Sequence, residues 1–324
     1  MLTRSRFLLL TVSVAAFPMM LGTARAEPYP VRPVRIVVGF AAGGGADLAA
    51  RLAGQWLSER LGQQFFVENR PGAGANIAMD AVAKALPDGY TLLMVSPGAA
   101  INATLYEKLS YDFARDFAPI SGFLRMPNVM VLNPSVPART VPEFIAYAKA
   151  NPGKVNMASA GNGSSVHVSG ELFKMMAGLD LAHVPYRGAG PMLSDLLGGQ
   201  VQVAFPDIGS SSELVKSGKL RAIAVTTLTR SGTLPDVPTV SEFIPGYEAS
   251  NWWGVAAPKD TPTVIVAALN RELNAAVADP RIKARFAELG GTAIAGSPAE
   301  FAKLIADETE KWGGVIRAAK VKSE

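Results

Sequence analysis

The sequence predicts an α/β protein built as two lobes, and three observations predict it. Short apolar runs alternate with stretches of helical periodicity, separated by brief loops of Gly, Pro and Asn. That alternation argues for a parallel sheet with helices on both faces. Two extended runs broken by Pro and Gly, 116–133 and "WWGVAAP" at 252–258, read as crossings between lobes. The length suits two domains: 298 residues remain of 324 once an N-terminal leader of 26 is set aside.

That leader comes first in the chain. "MLTRSR" is basic, "FLLLTVSVAAFPMML" is apolar, and "ARA" before Glu27 is an A-x-A cleavage site. Together they predict a secretory signal peptide over 1–26. The apolar run of 15 residues, interrupted by Pro18, is short for a membrane anchor, which needs about 20.

The elements follow in order. "VRIVVGF" at 34–40 is a buried strand, and Leu48, Leu52 and Trp56 recur at helical spacing until Gly62 stops them. A strand at 65–68, a turn "NRPGAGAN", a helix marked by Ile77, Ala81, Val82 and Ala85, and the strand "YTLLMVS" complete the first stretch. After the crossing come a helix in "TVPEFIAYAKANPG", a strand in "KVNMASA", the loop "GNGSS" and a helix in "VHVSGELFKMMAG". "DLAHVPY" and "VQVAFPD" are strands around a helix at 189–197, and "LRAIAVTT" is another strand. A Pro-rich connection at 235–245 leads to the second crossing, and helices near 262–277, 281–289 and 298–319 close the chain. The stretches 37–52 and 155–173 share one plan of strand, small-residue loop and helix. Each aims free N–H groups and a positive helix end at its loop.

Composition narrows the chemistry. The chain has no Cys, which excludes thiol chemistry and cysteine metal sites, and only two His, His167 and His183, so no metal site is expected. Without Arg4, Arg6 and Arg25 of the leader, 28 of the 31 basic residues face 27 acids. That near-neutral balance gives no argument for nucleic acid.

The glycines at 43–45 fit no nucleotide fingerprint. A dinucleotide loop wants a third Gly where Leu48 stands, and a phosphate loop wants Lys after its last Gly, where Gly45 and Ala46 follow. A small carboxylate fits such a loop better than a phosphate chain. Asp47 at the helix start either complements the helix dipole or reaches the ligand. Ser164 and Ser165 offer hydroxyls as helix caps, as ligand donors, or as both. Ser164, His167 and Asp195 supply the residue types of a hydrolase triad, but no G-x-S-x-G elbow is present. Arg187, in the loop "VPYRGAG", is the one cation placed near an anion, and a surface role suits it equally.

The segments "GFAAGGGADLAARL", "VENRPGAGANIAMDAVAKALPDGYTLL", "GSSVHVSGELF", "HVPYRGAGPMLSDLLGGQVQVAF", "VKSGKLRAIAVT" and "WWGVAAP" together resemble the Bug/TctC family. These are extracytoplasmic substrate-binding proteins of tripartite tricarboxylate transporters. The resemblance runs through nearly all of the chain after the leader. It implies a two-lobed type II periplasmic-binding-protein fold, with 27–125 plus 252–324 as one lobe and 126–251 as the other. It implies a small carboxylate (a di- or tricarboxylate, acidic amino acid or aromatic acid) held in the inter-lobe cleft by Phe40, Ala41, Ala42, Gly43 and Gly44 on one side and Gly161, Asn162, Gly163, Ser164 and Ser165 on the other. Asp47, Asn76, Ser96, Ser159, His167, Tyr186 and Asp207 match further pocket segments. Two departures stand out: Ala78 where a Gly is common after "NI", and Pro206-Asp207 where the pair is more variable. The resemblance further implies a periplasmic monomer without cofactor, not an enzyme, that delivers its ligand to membrane permease subunits. Its rivals are a sensory binding protein serving a receptor and a Ser164/His167 hydrolase.

Overall fold

The computed structural model describes residues 29–322. The signal peptide expected at 1–26 lies outside the described residues. The chain begins with β1 (Val34–Val38), α1 (Gly45–Leu61), β2 (Phe65–Asn69), α2 (Asn76–Ala83), β3 (Thr91–Val95), α3 (Gly98–Leu105), α4 (Phe113–Asp116) and β4 (Phe117–Pro127). It continues through β5 (Val129–Leu132), α5 (Val141–Ala150), β6 (Asn156–Ser159), α6 (Ser165–Ala177), β7 (Ala182–Pro185), α7 (Ala189–Leu197), β8 (Val203–Ala204), α8 (Ile208–Lys216) and β9 (Arg221–Val225). It returns through β10 (Ser250–Pro258), α9 (Thr263–Ala278), α10 (Pro280–Glu288), β11 (Thr292–Ala293) and α11 (Pro298–Ala319).

Two sheets form two lobes. The first has the order β11-β4-β10-β3-β1-β2 and the second β7-β6-β8-β5-β9. Alternation of side chains explains the burial of β1 on both faces. Val34, Ile36 and Val38 enter one apolar cluster and Val37 enters the other. The first helix ends as its sequence demands, with Gly62 left-handed at φ 73° and donating its N–H to the Ser58 carbonyl.

The expected parallel sheet is a mixed one. Strands β1, β2 and β3 pair in parallel, as do β6, β7 and β8. The crossing strands break the pattern: β10 runs antiparallel to β3 and β4, and β5 runs antiparallel to β8 and β9. The reason is the route of the chain. A strand that enters a sheet from the other lobe arrives without the helical crossover that makes neighbours parallel. Helices α3 and α8 were absent from the sequence reading, as were the four-residue α4 and the two-residue strand β11. All are short, and α8 carries three consecutive serines, weak helix formers that hide its period.

The two crossings meet at Thr226. Its hydroxyl lies 2.9 Å from the Asn128 carbonyl on the outgoing chain and 2.7 Å from the Ala249 carbonyl on the returning one. The same oxygen accepts from the Asn128 N–H at 2.9 Å. Backbone bonds from Thr226 N–H to the Asn128 carbonyl and from Ala249 N–H to the Thr226 carbonyl complete the knot. Helix α11 reinforces the union. It packs on α3 and β4 of the first lobe and also on α6 of the second, and its Lys311 pairs with Glu248.

Thr226 is fully buried, so Thr226→Val strips a buried N–H of its acceptor while keeping the shape. We expect a loss of about 1–3 kcal/mol in unfolding free energy, read by urea denaturation. A variant as stable as the parent would show that the knot carries no energy.

Candidate functional site

Five helix N-termini converge on one cavity between the lobes. Gly44, Gly45 and Ala46 bring the start of α1, Ser96 and Pro97 that of α3, and Ser164, Ser165 and Val166 that of α6. Ala189 opens α7 and Asp207 caps α8. Phe40, Ala160, Asn251 and Trp253 fill the remaining wall around a small cavity of about 30 Å³. Among the described residues no basic side chain lines it.

The helix starts differ in how their N–H groups are satisfied. The first turn of a helix leaves up to four N–H groups without intrahelical partners. Ser164 caps α6 by accepting from the His167 N–H, and Asp207 caps α8 by accepting from the Ser210 N–H. The caps of α1, α3 and α7 are Gly44, Pro97 and Gly188, none of which makes a side-chain cap bond. Among the described residues the Ser96 and Ser165 hydroxyls and the Asn251 amide nitrogen also make no intrachain hydrogen bond, and all three residues line the cavity. Positive helix ends and neutral donors therefore face the same space.

Small residues make this approach possible. A Cβ on Gly45 would lie 2.4 Å from the Trp253 ring and 3.0 Å from the Asp207 carboxyl carbon. Gly188, at φ 139°, lies against Ala41, whose N–H bonds the Arg187 carbonyl at 3.1 Å and ties lobe to lobe.

The sequence-predicted residues divide into three groups. Phe40, Gly44, Ser96, Ser164, Ser165 and Asp207 line the inner cavity. Gly161, Asn162 and Tyr186 line an outer groove instead, with Phe40 shared and Arg187 beside them. Tyr186 is turned aside to donate to Asp195 at 2.7 Å. Ala41, Ala42, Gly43, Asp47, Asn76, Ser159, Gly163 and His167 line neither.

The third group holds the loops in shape. Asp47 accepts from the Gly43 N–H at 3.1 Å, from Arg51 at 2.9 and 3.0 Å, and from Asn69 at 3.1 Å. Burial alone would raise its carboxyl, and these bonds together hold it below its usual range. Asn69 also donates to the Phe40 carbonyl at 3.0 Å, so one carboxylate and one amide fix the glycine loop from behind. Asn76 accepts from Asn102 at 2.7 Å and from Tyr111 at 2.6 Å. Its place is a polar knot between α2 and α3.

The hydrolase arrangement does not form. The Ser164 hydroxyl donates to the Gly161 carbonyl at 2.7 Å, while His167 Nδ1 accepts from the Gly163 N–H at 3.3 Å. Asp195 is bonded to Tyr186. The Ser–His side-chain contact that does exist, His183 to Ser159 at 2.6 Å, joins a half-buried ring to a fully buried hydroxyl outside the cavity wall. The His183 ring stacks on His167 with centroids 4.0 Å apart. Among the described residues no three His, Asp or Glu side chains gather as a metal site would require. Ala46, Ala160, Ala189, Asn251 and Trp253 were not read as site residues from the sequence. The alanines and Trp253 carry no local signal of function, and Asn251 reaches the cavity only because β10 crosses between the lobes.

The stacked imidazoles generate a pH dependence. Burial, the neighbouring His183 and then Lys174 push His167 well below 6.5. Burial and Lys174 push His183 down to about 4. The unfolded chain therefore binds more protons below pH 6.5, and stability is fully present above that value and falls as pH drops toward 4. Each ring contributes a slope of at most about 1.4 kcal/mol per pH unit. Urea unfolding between pH 7 and pH 5 reads it, and His183→Gln should flatten the slope. A variant with an undiminished slope would remove His183 from the account.

Comparison with known proteins agrees with this geometry. Residues 49–321 match the family described as the tripartite tricarboxylate transporter family receptor. The solved structure of an R. palustris protein with adipate is 37% identical, with a TM-score of 0.88 over 90% of this chain and 98% of that one. The periplasmic binding protein BugD is 34% identical, with a TM-score of 0.88 over 91% and 100% of the two chains. MatC from Rhodopseudomonas palustris, with bound malate, is 34% identical, with a TM-score of 0.85 over 89% and 100%. The chain belongs to the TctC family of tripartite tricarboxylate transporter receptors and is a solute-binding protein of the Bug type, not an enzyme.

Proposed function

We propose that this protein captures a small organic carboxylate in the inner cavity and delivers it to the membrane subunits of a tripartite transporter. The observation that carries the reading is the cavity wall. Three uncapped helix starts, the Ser96 and Ser165 hydroxyls and the Asn251 amide present donors to one space that no basic side chain lines. Such a wall suits an anion small enough to reach several backbone N–H groups at once. The ligands of the two similar structures, adipate and malate, are both dicarboxylates and support that class.

The energetics are sufficient. Micromolar capture needs about 8 kcal/mol. Charge-assisted hydrogen bonds contribute roughly 1.5–3 kcal/mol each, and a helix end in a partly buried site adds up to about 2 kcal/mol. A few backbone and hydroxyl donors reach that sum without an Arg or Lys clamp.

The reading extends to the whole chain. The leader at 1–26 directs export to the periplasm, the lobes comprise 27–125 with 252–324 and 126–251, and the mature chain acts as a monomer. The crossings at Asn128 and Ala249 are the natural hinge for admitting and releasing the ligand.

A panel of mono-, di- and tricarboxylates, screened by thermal shift and then titrated by calorimetry, tests the class. The tightest acid should bind about tenfold or more tightly than its methyl ester, a difference of about 1.4 kcal/mol or more. Equal affinity for acid and ester, or no binding by any acid, would overturn the proposal.

A further inference from the structure

Among the described residues, Asp207 is the one acid in the wall of the inner cavity. It is 3% exposed. Its Oδ1 accepts from the Ser210 N–H at 2.9 Å, and its Oδ2 lies 3.4 Å from the Gly45 N–H across the cleft. Among the described residues no Lys, Arg or His pairs with it within 4.0 Å. Two N–H donors leave lone pairs of the carboxylate unused. A buried carboxylate without a cation is costly, and proteins pair such charges. What the chain does not supply here, a ligand can.

We propose that Asp207 selects for carboxylates that carry a hydrogen-bond donor beside the carboxylate, a hydroxyl or an ammonium group, and against those that carry only carboxylates. The inference rests on the carboxylate reading of the cavity and names the second functional group that the ligand brings. The ligand carboxylate takes the free hydroxyls of Ser96 and Ser165 and the uncapped helix starts. Its hydroxyl or ammonium donates to Asp207. A ligand carboxylate placed against Asp207 instead sets two like charges side by side, so that one must take up a proton. Burial already raises the Asp207 carboxyl, even against its hydrogen bonds from Ser210 and Gly45, and a second anion would raise it further. Asp207 also occupies the Gly45 N–H, which withdraws one donor of α1 from any anion.

The test uses ligands matched in length: propanoate, lactate and alanine; succinate, malate and aspartate; glutarate, 2-hydroxyglutarate and glutamate. Calorimetry on the wild-type protein should show the donor-bearing member of the tightest set binding roughly 10- to 150-fold more tightly than its plain partner, the equivalent of one charge-assisted bond. Asp207→Asn keeps a good helix cap in nearly the same shape. It should shrink that ratio to about threefold or less, partly by improving the plain acid. A wild-type protein that binds the plain acids as tightly as their donor-bearing partners overturns the inference while leaving the carboxylate reading intact. So does an Asp207→Asn protein that keeps the full preference. No binding by any of these acids, or by the wider carboxylate panel, overturns both. The wild-type ratio stands as a test even if the variant fails to fold, which circular dichroism would report.

Discussion

Five helices begin at one place in this molecule, and the positive ends that result must be tolerated there. Each helix start carries about half a unit of positive charge, so the convergence is unfavourable on its own. Two features relieve it from within: Ser164 caps α6 and Asp207 caps α8, the latter with a full carboxylate. The starts of α1, α3 and α7 get no bond from their own cap residues' side chains, although Asp207 takes the Gly45 N–H of α1 and the Ser96 and Pro97 carbonyls take two of α3. In the proposed function an anionic ligand would complete what the protein leaves incomplete, at a wall where, among the described residues, no side-chain cation stands. The lack of a cation also explains the selectivity available to such a site. Fixed dipoles recognise where a charge sits, so on the proposed reading the shape of the cavity and the position of Asp207 would decide which acids fit.

The same constraint explains the small residues of the loops. For N–H groups to do the work, backbone must approach backbone. Gly45 lies beneath the Trp253 ring and beside Asp207, and Gly188 against Ala41, with no room at either position for a Cβ. Loops of Gly and Ala have many conformations available, however, and a useful site needs one. Asp47 and Asn69 supply that order from behind the first loop. The Ser159 hydroxyl accepts from the Gly161 N–H at 3.1 Å and does the same for the second. Asp47, Asn69 and Ser159 thus hold the loops from behind, and the inner cavity is walled largely by main chain, small residues and hydroxyls.

This division sets what was legible in the sequence. The strand–loop–helix units at 37–52 and 155–173 were legible because period, glycine punctuation and helix start are local signals, and the structure turns both toward one cavity. The helix at 189–197 was legible to the residue. Asp47, Asn76, Ser159 and His167 were expected at the pocket from the resemblance to family segments, and they line neither the inner cavity nor the outer groove. Whether such a side chain turns forward or back depends on Arg51, Tyr111, His183 and Gly163, partners that sequence distance does not reveal. Asn251 and Trp253 were hidden for the opposite reason. They lie on a strand whose nine residues are all buried, and only the crossing between lobes makes one of its ends a cavity wall. Sheet direction was hidden likewise, because antiparallel β5 and β10 follow from the path between lobes and not from any local pattern.

The hinge and the site are one mechanical system. Asn128 and Ala249, the residues at the two crossings, are both bonded to Thr226 through its hydroxyl and its backbone, and Asn128 also forms a bridge with Asp207. The residue that caps α8 and faces the cavity is therefore joined to the strand about which the lobes would turn. A group donating to Asp207 pulls on an element anchored at the hinge, while Gly45 pulls on the same carboxylate from the other lobe. Opening the cleft breaks that contact and the Ala41 to Arg187 bond, both exposed to water once broken and so worth only about 1 kcal/mol each. A ligand that bridges the lobes adds its own bonds to these two weak ones. In the proposed function the balance between open and closed cleft would then pass from the protein to the ligand, as capture and release at a membrane partner would require.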